Sequence, residues 1–166
     1  PIRIMEGLQY DWFTEESQRT FVTEPYTITM QADRMGYRLE GVKLTFREKR
    51  DLISEPVTFG AIQVPADGNP IILMADRQTT GGYAKIGQVA LVDLPRLAQM
   101  RPGDKICFAW TTLTEAEKSY AKQETYLAAL KDSLAATLQK KINLKGNPAA
   151  AGLPFQVFVF LISTGG

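Results

Sequence analysis

Short apolar segments separated by turn-forming residues dominate the first 111 residues, and this pattern constrains the fold more than any other feature. Segments such as Tyr26–Met30 and Val42–Phe46 alternate apolar and polar side chains, which is typical of half-buried strands. Gly, Pro, Asp and Asn separate these segments about every 10 residues. Many short strands and few helices predict a mainly β protein whose sheet is a closed or nearly closed barrel. The predicted strands are 2–5, 26–30, 37–40, 42–46, 57–64, 71–75, 83–89 and 105–111.

Helical signals are fewer. Thr14 predicts the N-cap of a short helix that ends near Val22, and Asp93 can cap a second, shorter helix. A capping box of Thr114 and Glu117 predicts the start of one long C-terminal helix. Its stripe of Tyr and Leu side chains is predicted to be core, although a partner helix could use the same face. The stripe consists of Tyr120, Leu127, Leu130, Leu134 and Leu138.

A chain of 166 residues is predicted to form a single domain over residues 1–166. Residues 1–140 supply the barrel and the helix, and residues 141–166 are a tail whose role the sequence leaves open. A final apolar strand is predicted at 155–162. No apolar run is long enough to cross a membrane, and we expect no membrane partner.

The chain contains no histidine and one cysteine, Cys107. This composition excludes Ser-His-Asp and Cys-His catalysis within the chain, and it argues against a zinc site, so no metal is predicted. The lone Cys107, predicted to be buried in a strand, cannot form an intrachain disulfide, which favours a cytoplasmic protein. A net charge of +1 gives no reason to expect a nucleic-acid partner.

The polar stretch 33–38 is the first candidate site. An arginine of this stretch, which contains Arg34 and Arg38, can hold a carboxylate or phosphate through two parallel N–H bonds, and Tyr37 can donate or accept a proton. The alternative interpretation is a simple turn that begins at Asp33, with solvated arginines.

The second candidate site is the polar stretch 76–83. Consecutive glycines let backbone N–H groups converge on an anion, while hydroxyl and amide side chains can orient a planar carboxylate or amide. Asp76 offers the stretch's only carboxylate, and Gln63 could direct its amide toward the same place. The alternative is a hairpin loop whose glycines only turn the chain. The candidate binding residues are Gln63, Arg77, Gln78, Thr79, Thr80, Gly81, Gly82 and Tyr83.

The same two stretches resemble the allophanate hydrolase subunit 2 family, which includes the C subunit of 5-oxoprolinase and KipA-like proteins. This family is also described as a biotin-dependent carboxyltransferase family and includes the carboxyltransferase part of urea amidolyase. The resemblance also extends to Ile53–Pro56, Gly60–Pro65, Lys85–Gly87, Asp93–Gln99 and Pro102–Asp104. It implies a cyclophilin-like barrel that forms the C-terminal half of a longer subunit. It also implies a B-type partner subunit similar to allophanate hydrolase subunit 1, and it allows an A-type subunit as a further partner.

The resemblance further implies ATP-dependent opening of a small amide, or biotin-dependent carboxyl transfer to one. No cofactor is expected on this chain itself, since ATP would bind a partner and carboxybiotin would arrive on another domain. The implied roles are a carboxylate clamp for Arg34, a hydroxyl donor for Tyr37 and a base for Asp76. An alternative function is KipA-like regulation, in which the protein antagonises a kinase inhibitor without catalysis of its own.

Overall fold

The computed structural model describes residues 1–48 and 50–144, and it contains ten strands and three α-helices over these residues. The strands are β1 (Ile2–Glu6), β2 (Tyr26–Ile28), β3 (Gly36–Glu40), β4 (Glu55–Pro56), β5 (Ala61–Val64), β6 (Ile71–Leu73), β7 (Thr80–Gly81), β8 (Ala84–Val89), β9 (Lys105–Ile106) and β10 (Phe108–Trp110). The helices are α1 (Glu15–Thr23), α2 (Leu94–Leu97) and α3 (Leu113–Leu144). The chain divides into two units, residues 1–120 and residues 121–166.

Eight strands form one sheet in the order β10-β1-β8-β5-β6-β3-β2-β9. Its two edge strands, β9 and β10, are separated in sequence by Cys107 alone, so the two edges of the sheet come together. The result is a nearly closed barrel, and the predicted mainly β fold with a long C-terminal helix is confirmed. Cys107 is exposed at this break between strands, which corrects its predicted burial.

The barrel interior is filled by alternate side chains of these strands, including Ile4, Leu39, Ile62, Ile72 and Ile86, all at most 1% exposed. An aromatic cluster closes part of this core, with the ring of Phe21 on α1 centred 4.7 Å from Phe108 and 5.7 Å from Tyr26. Burial of this apolar surface is the main stabilising contribution to the fold.

Two predicted helix caps need correction and one is confirmed. Thr14 accepts a hydrogen bond from the Ser17 amide at 3.2 Å, as expected for an N-cap. Asp93 makes no side-chain cap, because its carboxylate instead accepts three hydrogen bonds from Arg3, each of 2.8 Å. The capping box of α3 lies two residues earlier than predicted, where Thr112 and Glu115 bond reciprocally at 3.0 and 3.2 Å.

Two further expectations differ from the structure. Residues 42–46 form only an isolated bridge, between Phe13 and Phe46, instead of a strand. The predicted core stripe of α3 is exposed, with Leu134 at 51%. Helical spacing identifies a shared face but does not determine whether another element covers it. The predicted strand at 155–162 lies outside the described residues.

Candidate functional site

Four side chains from four neighbouring strands form a row across the outer face of the barrel. The strand register pairs Arg38 with Ile71, Ile71 with Gln63, and Gln63 with Lys85. Cross-strand partners share a face of the sheet, and the adjacent residues Leu39, Ile62 and Ile86 point into the core. We call Arg38, Ile71, Gln63 and Lys85 the outer row.

A two-stranded sheet of β4 and β7 covers part of the outer row, and we call it the strap. Glu55 pairs with Gly81, and Pro56 pairs with Thr80. The strap approaches Gln63 closely, because a Cβ atom added at Gly81 would lie 2.5 Å from the Gln63 Nε2 atom. Only glycine therefore fits at residue 81 without displacing the amide of Gln63.

Lys85 anchors the strap to the barrel. Its ammonium donates to Glu55 Oε1, and Gln9 Nε2 donates to the same oxygen at 2.8 Å. Gln9 is itself fixed, since its Oε1 atom accepts the backbone N–H of Lys85 at 3.0 Å. The hydrogen bond from Lys85 lowers the pKa of Glu55, with a smaller contribution from Gln9, against the opposing effect of burial. The carboxylate is therefore held ionised, and the charge of Lys85 is neutralised.

A cavity of about 600 Å³ lies beside the strap, and we call it the strap cavity. Its lining combines amides, hydroxyl groups, glycine backbone and a guanidinium with apolar side chains such as Ile71 and Leu73. The predicted site residues on its wall are Gln63, Gln78, Thr80, Gly81, Gly82 and Tyr83, and the wall also includes Arg38 and Ser54. The structure thus brings six of the candidate binding residues together on the wall of one cavity.

Arg34 and Tyr37 line a different cavity, of about 400 Å³, together with apolar residues such as Phe59 and Met74. Arg34 forms a two-point ion pair with Asp76, at 2.6 Å from Nε to Oδ2 and 3.2 Å from Nη2 to Oδ1. The hydrogen bond from Arg34 lowers the pKa of Asp76. Both side chains are largely exposed, and their charges are mutually satisfied.

Arg77 and Thr79 line neither cavity. Arg77 donates to the backbone carbonyls of Val57 at 3.4 Å and Ala75 at 3.5 Å, and the Thr79 carbonyl accepts the Val57 N–H at 3.0 Å. These contacts hold the segment before the strap in place. Five residues of the predicted site thus do not line the strap cavity, although Asp33 lines both cavities. They are Arg34, Tyr37, Asp76, Arg77 and Thr79.

Sequence reasoning did not assign a role to Arg38, Lys85 or Glu55. A signal for Lys85 was present, because a cation between the apolar residues Ala84 and Ile86 of a strand needs a partner if it is buried. Arg38 differs from Arg34 in lying within a predicted strand, next to the apolar Leu39. Adjacent side chains of a strand point to opposite faces, so Arg38 is expected on the face opposite to Leu39.

Two other kinds of site are absent from the described residues. No three or more acidic or cysteine side chains in that part of the chain are grouped so that they could hold a metal ion. No helix among the same residues is both long enough and apolar enough to cross a membrane.

The fold and the cavity together define a β-barrel domain that presents a polar, donor-rich site on its outer face. The chain belongs to the carboxyltransferase domain family, subdomain A and B, which matches residues 1–110. This finding confirms the resemblance drawn from the sequence.

Relatives and solved structures agree with this assignment. The chain is 44% identical over 126 residues to the C subunit of 5-oxoprolinase from Haemophilus influenzae, covering 76% of the chain and 41% of that protein. It is 40% identical over 129 residues to the corresponding Escherichia coli protein, covering 78% and 42%. The chain therefore spans about two fifths of the length of these relatives. The urea amidolyase structure of K. lactis shares the fold, with a TM-score of 0.71 at 24% identity over 75% of this chain and 8% of that one.

Proposed function

We propose that this chain is the C-terminal part of a subunit of an ATP-dependent amide hydrolase, of the type of the 5-oxoprolinase C subunit. The observation that carries the proposal is the strap cavity, because family membership and the donors on its wall point to the same chemistry. The identity of 40–44% to two 5-oxoprolinase C subunits supports this choice of substrate class over urea-type amides.

The cavity suits a small planar amide. Gln78 offers an exposed amide that can both donate to a carbonyl oxygen and accept from an N–H group. Gln63 is buried on the same wall and its Nε2 atom already donates to the Tyr83 carbonyl at 3.4 Å, which leaves its second N–H and its Oε1 atom for a ligand. The Thr80 hydroxyl adds a donor, and Gly81 lets the strap backbone approach closely. Hydrolysis of an amide passes through an anionic intermediate, and fixed donors stabilise such a charge more than they stabilise the neutral ground state.

Activity is proposed to require partner subunits of the B type and the A type. No phosphate-binding loop of the Walker type is present in the sequence, so we assign ATP binding to a partner. The family name also implies carboxyl transfer, for which carboxybiotin on another domain would supply the carboxyl group. The amide and hydroxyl donors of the cavity fit a carboxylate as well as an amide.

A chimeric protein tests the proposal. The matching region of the Escherichia coli 5-oxoprolinase C subunit is replaced by this chain, and the chimera is assembled with the other Escherichia coli subunits. We expect ATP-dependent turnover of 5-oxoproline, and a loss of about tenfold or more in kcat/KM in the Gln78→Ala and Thr80→Ala chimeras. Arg19→Gln is the matched control, since Arg19 is an exposed residue of α1 remote from the strap in sequence.

Two results would contradict the proposal. One is a folded, assembled chimera without turnover. The other is wild-type kcat/KM in both cavity variants, which would move the site elsewhere. Stable assembly without turnover would instead favour the regulatory function, in which the chain binds a partner protein and does no chemistry.

A further inference from the structure

We propose that Arg38 is the anion-binding residue of the strap cavity and that its guanidinium selects small amides that carry a carboxylate. This inference deepens the proposed function, on which its substrate class rests. It assigns the carboxylate clamp to a residue other than Arg34, for which the sequence had suggested that role.

Arg38 lies on the wall of the strap cavity, and its guanidinium has no ion-pair partner among the described residues. Arg38 extends from the outer face of β3 and lines the strap cavity. It is exposed, and within the described residues its side chain makes no hydrogen bond or ion pair. A guanidinium has five N–H donors in a planar fork, which matches the two oxygens of a carboxylate.

The other cations near the cavity already have protein partners, whereas the exposed Asp33 carboxylate on its wall has no ion pair among the described residues. Lys85, at the opposite end of the outer row, is buried and paired with Glu55. Arg34 lines the other cavity and is paired with Asp76. Asp33 lies on the strap cavity, but its Oδ1 atom accepts the backbone N–H groups of Met35 at 2.8 Å and Gly36 at 3.0 Å. Arg38 is therefore the cation of this set that a ligand can reach without breaking an ion pair.

The spacing of the outer row also indicates which chemical groups a ligand needs. Arg38 and Gln63 are two strand spacings apart, roughly 9–10 Å between their backbones. Their long side chains can reach a small molecule between them, with a carboxylate at Arg38 and an amide at Gln63. A neutral amide would use only one of these two contacts. The cavity is therefore expected to prefer an amide with a carboxylate close by.

An NMR titration of the 166-residue chain tests this inference. The probes are 5-oxoproline, the neutral lactam pyrrolidinone, allophanate and bicarbonate, each raised to millimolar concentrations. We expect 5-oxoproline to perturb the Arg38 Nε–H and Gly82 amide signals and to bind about tenfold more tightly than pyrrolidinone. Arg38→Gln should remove this preference while pyrrolidinone still binds, and Arg38→Lys should retain part of it because the charge remains.

Control variants separate the possible outcomes. Arg19→Gln should keep the wild-type preference. The inference would be overturned if the Arg38→Gln variant still preferred 5-oxoproline, or if Arg34→Gln lost this preference and Arg38→Gln did not. It would also be overturned if none of the three anions bound. If allophanate binds through Arg38 but 5-oxoproline does not, the inference stands and the 5-oxoprolinase assignment fails. Binding of bicarbonate alone would overturn the selection of amides.

Discussion

The two ends of the outer row carry the same charge but have opposite environments. Lys85 has an 8% exposed side chain and is held by Glu55, which Gln9 fixes in turn. Arg38 lies three strands away on the same face and is exposed without a partner among the described residues. A cation on this face of the sheet therefore stabilises the fold where a carboxylate pairs with it. Where no carboxylate is present, the cation remains available to a ligand.

The largest effect on stability is expected at Gly7, which packs against the backbone of Lys85. We call the Lys85 end of the outer row the closed end. A Cβ atom there would overlap the Lys85 carbonyl and lie 2.8 Å from the Gly87 nitrogen, both of which are backbone atoms that cannot move independently. Gly7→Ala should lower the free energy of unfolding by about 3 kcal/mol or more, measured by urea denaturation. Gly82→Ala is the control, since its Cβ would meet nothing closer than 3.5 Å. Equal stability of the two variants would show that the closed end is loosely packed.

The next effect compares the two cations directly. Lys85→Met leaves Glu55 partly buried without its ion pair and should cost about 2 kcal/mol of unfolding free energy. This is less than for a fully buried pair, because the Glu55 side chain is 29% exposed. Arg38→Met removes an exposed charge and should change the unfolding free energy by about 0.5 kcal/mol or less. Urea denaturation of both variants measures the difference. If both variants lose the same unfolding free energy, Lys85 contributes no more to stability than Arg38 does.

A ligand-binding effect is expected where the strap meets Gln63. Gly81→Ala should displace the Gln63 amide, because the new Cβ would lie 2.5 Å from Nε2, and should weaken binding of 5-oxoproline about tenfold. Gly82→Ala should have a smaller effect, since its Cβ makes only an ordinary contact with Ser54. Titration calorimetry measures both affinities. A greater loss at Gly82 would mean that the amide of Gln63 does not bind the ligand.

The smallest effect concerns pH. Glu55 has a lowered pKa in the folded protein, so its contribution to stability is complete above its ordinary value of 4.5 and is lost as the pH falls through the lower folded value. Glu55→Gln should therefore be less stable than wild type near neutral pH, with the difference narrowing below about pH 4.5. Urea denaturation as a function of pH measures the difference. A gap that stays constant down to strongly acidic pH would show that the ion pair does not cause it.

Several local features of the fold were predictable from sequence because they depend on neighbouring residues. Thr14 caps α1 as predicted, since an N-cap bonds an amide three residues away. The position of the α3 capping box was two residues wrong because Thr112 and Thr114 are each followed three residues later by a glutamate. Local pattern alone did not distinguish them.

The candidate site was predictable only in part. Residues 78–83 were identified because glycine, hydroxyl and amide groups are concentrated in one short stretch, and most of them do line one cavity. The role of Arg34 in the first stretch was implied by the family resemblance. The structure instead pairs Arg34 with Asp76 and turns Arg38 toward the cavity, which depends on strand register and on a contact across 42 residues.

Local sequence patterns predicted most of the barrel strands and the turns between them, because alternation and turn formation are properties of short segments. They predicted a strand at 42–46 that does not form, and they did not predict β4 and β7. Which charges are neutralised and which face a ligand depends on contacts between segments that are distant in sequence. Residues 9, 55 and 85 meet because β8 pairs beside β5 beneath the strap, and residues 38 and 63 share a face because β6 lies between their strands. Such contacts are set by the closure of the barrel, which no short segment encodes.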